Sequence, residues 1–188
     1  MSANTPLENP LVEARIVYCH LREPDRFGKY SCLLVIDKDD PMVKKIVTEI
    51  DRLCKVTFGG KRPAARGLPI KEAAEQFGED YSDCYVIRCS SGDPVDLFNS
   101  DKTPILADNT FPGGTNVRAL LAFTAYQNEY GKFVGCFING VQYVSKGDPI
   151  GRAKPDAAGF FSEIEGTEPA SGAADNADPS ADPAAFFK

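Results

Sequence analysis

Tryptophan is absent from this 188-residue chain, and histidine occurs once, at His20. With a single imidazole, the familiar histidine-based acid–base and nucleophilic mechanisms lose their usual proton carrier. No CxxC pair joins any of the six cysteines (Cys19, Cys32, Cys54, Cys84, Cys89, Cys136). Scattered among apolar neighbours, they read as reduced, buried thiols that behave as small hydrophobes. Cys19 beside His20 would make half of a zinc site, but no second half is visible. No apolar run reaches membrane-spanning length and the polar N-terminus carries no signal-peptide pattern, so a soluble, intracellular protein without membrane contact is expected. A phosphate-cradling Walker loop is missing, as is a nucleophile–base pair. These absences point away from catalysis, and neither cofactor nor metal is expected.

What is present is a strong division of charge. From Asp156 onward the chain holds seven acids and one base, Lys188, whereas residues 1–155 hold 20 of each sign. The formal charge of -6 therefore sits entirely in the last segment. Rich in Ala, Gly, Pro, Ser and acids, that segment buries too little apolar surface to offset its ordering entropy, and disorder is expected over 156–188. It ends in Phe186-Phe187-Lys188, shortly after Asp178 and Asp182. An acidic polymer with an aromatic end imitates a nucleic-acid strand, carboxylates standing for phosphates and rings for bases. Such a tail is expected to visit a DNA groove of its own domain or to engage a partner protein. A solubilising tail with an incidental Phe pair accounts for the composition equally well.

Ahead of the tail, residues 1–10 read as a flexible leader and 11–155 as one domain of a size that supports a good core. Alternation predicts a strand over Glu13 to Tyr18, and Tyr30 to Ile36 reads as a central strand. Asp40 is a natural N-cap with Pro41 at the first helical position. Val43, Ile46, Val47, Ile50, Leu53 and Cys54 then form one apolar stripe, and Gly59-Gly60 ends the helix. A polar, irregular stretch follows, with a helical turn expected within Ile70 to Phe77. Further strands are expected over Cys84 to Cys89, Ile105 to Ala107, Asn116 to Tyr126 and Lys132 to Val144, the last two joined by the hairpin turn Asn128 to Gly131. The order fits a mainly β, partly open five- to six-stranded barrel of the oligonucleotide-binding kind, with one inserted amphipathic helix. A generic α+β sandwich fits the same pattern.

Two segments carry a resemblance: Lys29 to Pro41 (KYSCLLVIDKDDP) and Phe137 to Gly151 (FINGVQYVSKGDPIG). In order and spacing, together with the acidic aromatic-ended tail, they resemble a family of single-stranded DNA-binding proteins of tailed bacteriophages, built on an oligonucleotide-binding barrel. The likeness extends over residues 10 to 152. It departs at Thr110-Phe111-Pro112-Gly113-Gly114-Thr115, where the Pro-Gly turn is kept but the following residue is not. The resemblance implies a non-enzymatic, sequence-nonspecific protein that coats single-stranded DNA during phage replication, recombination or repair in the cytoplasm of the bacterial host. The tail would compete with DNA and recruit replication or recombination proteins through Asp178, Asp182, Phe186 and Phe187, and a homodimer stays open. The alternatives are a Mg²⁺-dependent nuclease using Asp37, Asp39 and Asp40, and a scaffold that binds no DNA. The helix cap explains Asp40 without a metal.

A groove for single strands needs cations along the phosphates and aromatic faces under the bases. The densest cationic cluster is Lys61, Arg62, Arg66 and Lys71, in a loop whose glycines (Gly59, Gly60, Gly67) would let backbone approach a ligand. A solvated loop is the plainer reading. On strands, Arg88 and Arg118 each share an apolar-leaning face, where an arginine is either paired with an acid or turned into a groove. Arg15 has Glu13 as a ready partner. The stacking candidates are Tyr30, Tyr85, Phe98 with Lys102 nearby, Phe111 and Tyr126, although strand aromatics more often belong to the core.

Overall fold

The computed structural model describes residues 6–106 and 111–150. The tail expected over 156–188, with Asp178, Asp182, Phe186 and Phe187, lies outside the described residues, as do residues 1–5 of the leader. Among the described residues seven strands form one sheet: β1 (Leu11–His20), β2 (Tyr30–Asp37), β3 (Ile70–Glu72), β4 (Cys84–Ser91), β5 (Asp96–Phe98), β6 (Thr115–Asn128) and β7 (Gly131–Ser145). Their spatial order is β3-β4-β2-β1-β6-β7-β5, and β4 also meets β7 in parallel at Ser90–Phe137. That contact closes β4-β2-β1-β6-β7 into a five-stranded barrel, with β3 and β5 as short additions. The barrel is the architecture expected from the strand pattern, and the sandwich is excluded.

Alternation decides which side chains fill it. Ile16 on β1, Leu34 on β2, Ile87 on β4, Leu121 on β6 and Ile138 on β7 point inward and are fully buried. Helix α1 (Pro41–Phe58) lays Val43, Ile46, Ile50, Cys54 and Phe58 onto the same core. Each such side chain is worth about 1.5–3 kcal/mol when fully buried. The Asp40 carboxylate accepts the Met42 N–H at 2.7 Å, Pro41 opens the first turn, and Gly59 closes the helix in the left-handed region at φ 64°. Cap, stripe and stop all fall where the sequence places them.

The strand expected over Ile105 to Ala107 is replaced, as far as Leu106, by a single bridge between Pro104 and Phe98; Ala107 lies outside the described residues. The pairing instead uses Asp96–Phe98, which lies parallel to β7. Three residues are too few to show alternation. Residues 70–77 divide into β3 and the one-turn helix α2 (Ala74–Phe77). With the turn at Glu79–Tyr81, they cover the outer face of the sheet at one end. There Val17, Val35, Ala73, Cys84 and Val86 make a second apolar cluster, with Phe77 and Tyr81 against it. This cover explains why Val35 and Val86, on the outward side of their strands, are buried.

Candidate nucleic-acid interface

Beyond that cover the outer face stays open, as a groove of about 610 Å³. Its floor is the outward row of β2 and β4: Ser31 and Leu33 against Arg88 and Ser90, with Leu33 and Arg88 directly paired. One wall is Arg66 to Pro69 with Lys71; the other is the β1–β2 loop, carrying Asp25, Phe27 and Lys29. The β6–β7 hairpin closes the far end with Tyr126, Phe133 and Gly135.

Charge in the groove is one-sided. Lys29, Arg66, Lys71 and Arg88 line it, and Asp25 is the one acid among the lining residues. All four cations are exposed, and among the described residues none has a carboxylate within ion-pair distance. Arg66 is steadied differently: its Nη2 donates to the Tyr130 carbonyl at 3.3 Å. The turn that carries Arg66 packs tightly on β7, since a Cβ added to Gly67 would lie 2.5 Å from the Lys132 carbonyl oxygen. Gly67 therefore serves an approach of backbone to backbone, where the sequence suggested an approach to a ligand. Gly59 and Gly60, both at positive φ, terminate the helix.

The loop of the opposite wall is organised by one carboxylate. Asp25 Oδ1 accepts the N–H of Phe27 at 2.9 Å and that of Lys29 at 3.1 Å, while Oδ2 accepts the Ser31 hydroxyl at 3.3 Å. These bonds, the Lys29 N–H foremost, hold the Asp25 carboxyl below the usual aspartate range. The result presents Phe27 to solvent at 69 % exposure, with the Arg26 guanidinium 4.8 Å above its ring.

At the hairpin end, Tyr126 and Phe133 occupy opposed positions and stack, with centroids 5.6 Å apart and planes 19° from parallel. Asn128 Oδ1 accepts the Tyr130 N–H within the two-residue turn. Cations beside exposed rings are the two components that bind an unpaired polynucleotide.

Of the residues the sequence singled out, Arg66, Lys71, Arg88 and Tyr126 come together here. The others lie elsewhere. Arg62 bonds Asp51 on α1 with its Nε at 2.6 Å, and Lys61 sits exposed beside it, outside the groove. Arg118 is paired to Glu13 across β1 and β6, at 2.8 Å from Nε. That takes the acid nearest in sequence away from Arg15, whose guanidinium lies over Tyr81 instead. Tyr30 and Tyr85 pack on the barrel core. Phe98 is half-buried on β5 beside Gln142, which donates to the Asn99 and Ser100 carbonyls of the turn holding Lys102. Phe111 is buried against Tyr143. Sequence reasoning passed over Phe27, Lys29 and Phe133; an Arg-Phe-Gly run in the first long loop was the signal available for Phe27. Among the described residues no cluster of acids, cysteines or histidine is arranged to hold a metal ion, and Asp40 is spent on its helix cap.

The family described as the ssDNA-binding protein of Enterobacter phage Enc34 matches residues 11–170. The solved single-stranded DNA-binding protein of bacteriophage Enc34 superposes with a TM-score of 0.65 at 24 % identity, over 80 % of this chain and 87 % of its own. The same protein in complex with ssDNA superposes equally, over 74 % of this chain and 86 % of its own. The bacteriophage T7 single-stranded DNA-binding protein gp2.5 gives 0.56 at 16 % identity, covering 87 % of this chain and all of its own. At these identities the solved structures speak to a shared fold. No curated protein matches the chain.

Proposed function

This chain belongs to the family of the Enterobacter phage Enc34 ssDNA-binding protein, and from that premise we propose that its open groove binds single-stranded DNA without sequence preference. The protein is a binding protein and not an enzyme. The observation that carries the reading is the convergence, in one groove, of a stacked aromatic pair with four cations that have no ion-paired carboxylate among the described residues. Arg88 would follow the phosphates along the floor, Arg66 and Lys71 would hold them from one wall and Lys29 from the other, and bases would lie on Tyr126, Phe133 and Phe27. Phosphate contacts and ring stacking carry no base identity, so a contact made of them is indifferent to sequence. Coating transient single strands in this way serves phage DNA replication, recombination or repair in the host cytoplasm. The domain would comprise residues 11–155. The acidic tail of 156–188 would compete for the same cations and, once displaced, offer Phe186 and Phe187, with Asp178 and Asp182, to replication or recombination proteins.

Fluorescence titration with a labelled oligothymidylate, with and without Mg²⁺, tests the reading. Saturable, Mg²⁺-independent binding is expected, with a slope of log K against log salt of about −3 for four phosphates neutralised. Absence of binding would favour a scaffold, and Mg²⁺-dependent cleavage would favour a nuclease.

A further inference from the structure

Strand β1 is interrupted between Val17 and His20, where its register against β2 shifts. Tyr18 sits in this bulge at φ 50°, a left-handed conformation that disfavours bulky side chains. Bulges of this kind re-aim a side chain. Tyr18 is 57 % exposed, and its ring lies on Phe77, with centroids 6.2 Å apart and planes 25° from parallel. Phe77 in turn meets the edge of the Tyr81 ring at 5.7 Å and rests on the second apolar cluster. A ring left more than half in water gains little burial to set against its backbone strain, so packing alone does not account for the arrangement.

Its place in the sheet suggests a use. Val17 is paired with Leu33, Leu33 with Arg88, and β4 meets β7, whose Phe133 stacks on Tyr126. Leu33 belongs both to the groove floor and to the cluster that supports Phe77, and Gln76, one residue before Phe77, lines the groove. Tyr18 and Phe77 are not part of the groove lining but stand beside it, reached through Leu33 and Gln76 on the β1 side of Arg88. By way of β2 and β4, three inter-strand steps of about 4.8 Å lead from β1 to β7, roughly 14 Å across the strands.

We infer that Tyr18, backed by Phe77, is a second stacking platform for a base of the bound strand. Single-stranded DNA then crosses the sheet from the β6–β7 hairpin, over Arg88, to the β1 bulge. This deepens the function proposed above and rests on it. The strain at Tyr18 is the device that turns the ring to face the strand, and Phe77 fixes its plane.

The test uses Tyr18→Gly, which relieves the φ constraint while removing the ring, and Tyr18→Phe, which keeps the face and loses only the hydroxyl. Each is titrated on the full-length chain with oligothymidylates of three and of twelve nucleotides. Tyr18→Gly should bind the longer oligomer at least fivefold more weakly, bind the trimer as the wild type does, and keep its melting temperature. Tyr18→Phe should match the wild type on both. Wild-type affinity of Tyr18→Gly for the longer oligomer overturns the inference. So does an equal loss on both lengths, which would mark a structural role. Arg88→Ala is the control that separates the two proposals. If it too leaves binding unchanged, the groove itself is misassigned; if it alone weakens binding, the groove stands and the platform at Tyr18 falls.

Discussion

The rings of Tyr126 and Phe133 stack across the β6–β7 hairpin from directly opposed positions, at the hairpin end of the groove. A base can use one ring and be supported by the other, so their contributions overlap. Replacing either by Ala should cost about 1–3 kcal/mol of single-strand affinity, as for one stacked base. The double variant should cost clearly less than the sum of the two. Isothermal titration with oligothymidylate supplies the cycle; strict additivity would mean that the rings bind separate bases. The salt slope should not change, because no cation is removed.

Arg88 and Arg118 make a sharper pair of variants, since both lie on outward strand faces and both are exposed. Arg118 is spent on Glu13, an exposed pair worth little to stability. Arg88 faces Leu33 in the groove with no carboxylate partner among the described residues. Arg88→Ala should weaken binding by about tenfold at low salt and make the salt slope shallower by about 0.7. Arg118→Ala should leave both within experimental error. A larger loss from Arg118→Ala than from Arg88→Ala would move the binding surface to the β1–β6 face.

That pair also marks where the sequence stops being legible. The helix could be read because Asp40, Pro41 and Gly59 act on their own backbone, and the strands because alternation is local. Whether an outward arginine is free depends on which strand lies beside it. Glu13 is 105 residues from Arg118, and only the pairing of β1 with β6 brings them together. Phe133 was overlooked for the same reason, since its value comes from Tyr126 across the hairpin. Lys61 and Arg62 resemble Arg66 in composition, but the helix end directs Arg62 toward Asp51 while Gly67 presses the next turn onto β7. Tyr30 and Tyr85 could not be separated from Tyr126 without knowing which face the core occupies.

Asp25 presents two opposed effects in one carboxylate. It repels phosphates in a groove of cations, yet its Oδ1 orders Phe27 and Lys29 through two N–H bonds. Asn keeps an oxygen in that position and removes the charge, whereas Ala removes both. Asp25→Asn should therefore bind single strands more tightly than the wild type, by roughly threefold at low salt, with the gain fading as screening rises. Asp25→Ala should bind more weakly than Asp25→Asn. Because hydrogen bonding holds the Asp25 carboxyl below the ordinary aspartate range, the loop stays ordered above that range and loosens only as pH falls through the lowered value. Salt-dependent titration of both variants checks the order; equal affinities would show that the two N–H bonds do not matter.

The tail can be tested by its removal. A short flexible linker gives a tethered segment a local concentration of roughly millimolar. If the tail binds the groove with a dissociation constant of about 0.1 mM, its presence weakens DNA binding by about tenfold. Deleting residues 156–188 should then tighten binding by that factor, most strongly at low salt. Replacing Phe186 and Phe187 by Ala should change DNA affinity little and impair capture of replication proteins. Unchanged or weaker DNA binding by the truncated chain would rule out competition by the tail.

Glu49 supplies a prediction about the scaffold rather than the groove. Its carboxylate is 5 % exposed on α1, accepts Nε and Nη2 of Arg52 at 2.8 and 2.7 Å, and also takes the Leu7 N–H at 3.1 Å. Burial pushes this carboxyl up, but the Arg52 guanidinium and the Leu7 N–H pull harder, leaving it below the ordinary glutamate range. A depressed folded value means that the ionised form stabilises the native state above the unfolded pKa, about 4.3. That contribution is lost as pH falls through the lower folded value. Glu49→Gln weakens the charge-assisted bonds and should cost about 1.5–3 kcal/mol at pH 7. At acidic pH, below the ordinary glutamate range, the gap between variant and wild type should shrink, because the unfolded carboxylate takes up a proton that the folded one resists. Urea denaturation followed by circular dichroism at the two pH values measures both quantities. A gap that stays constant with pH would assign the stabilisation to packing rather than to charge.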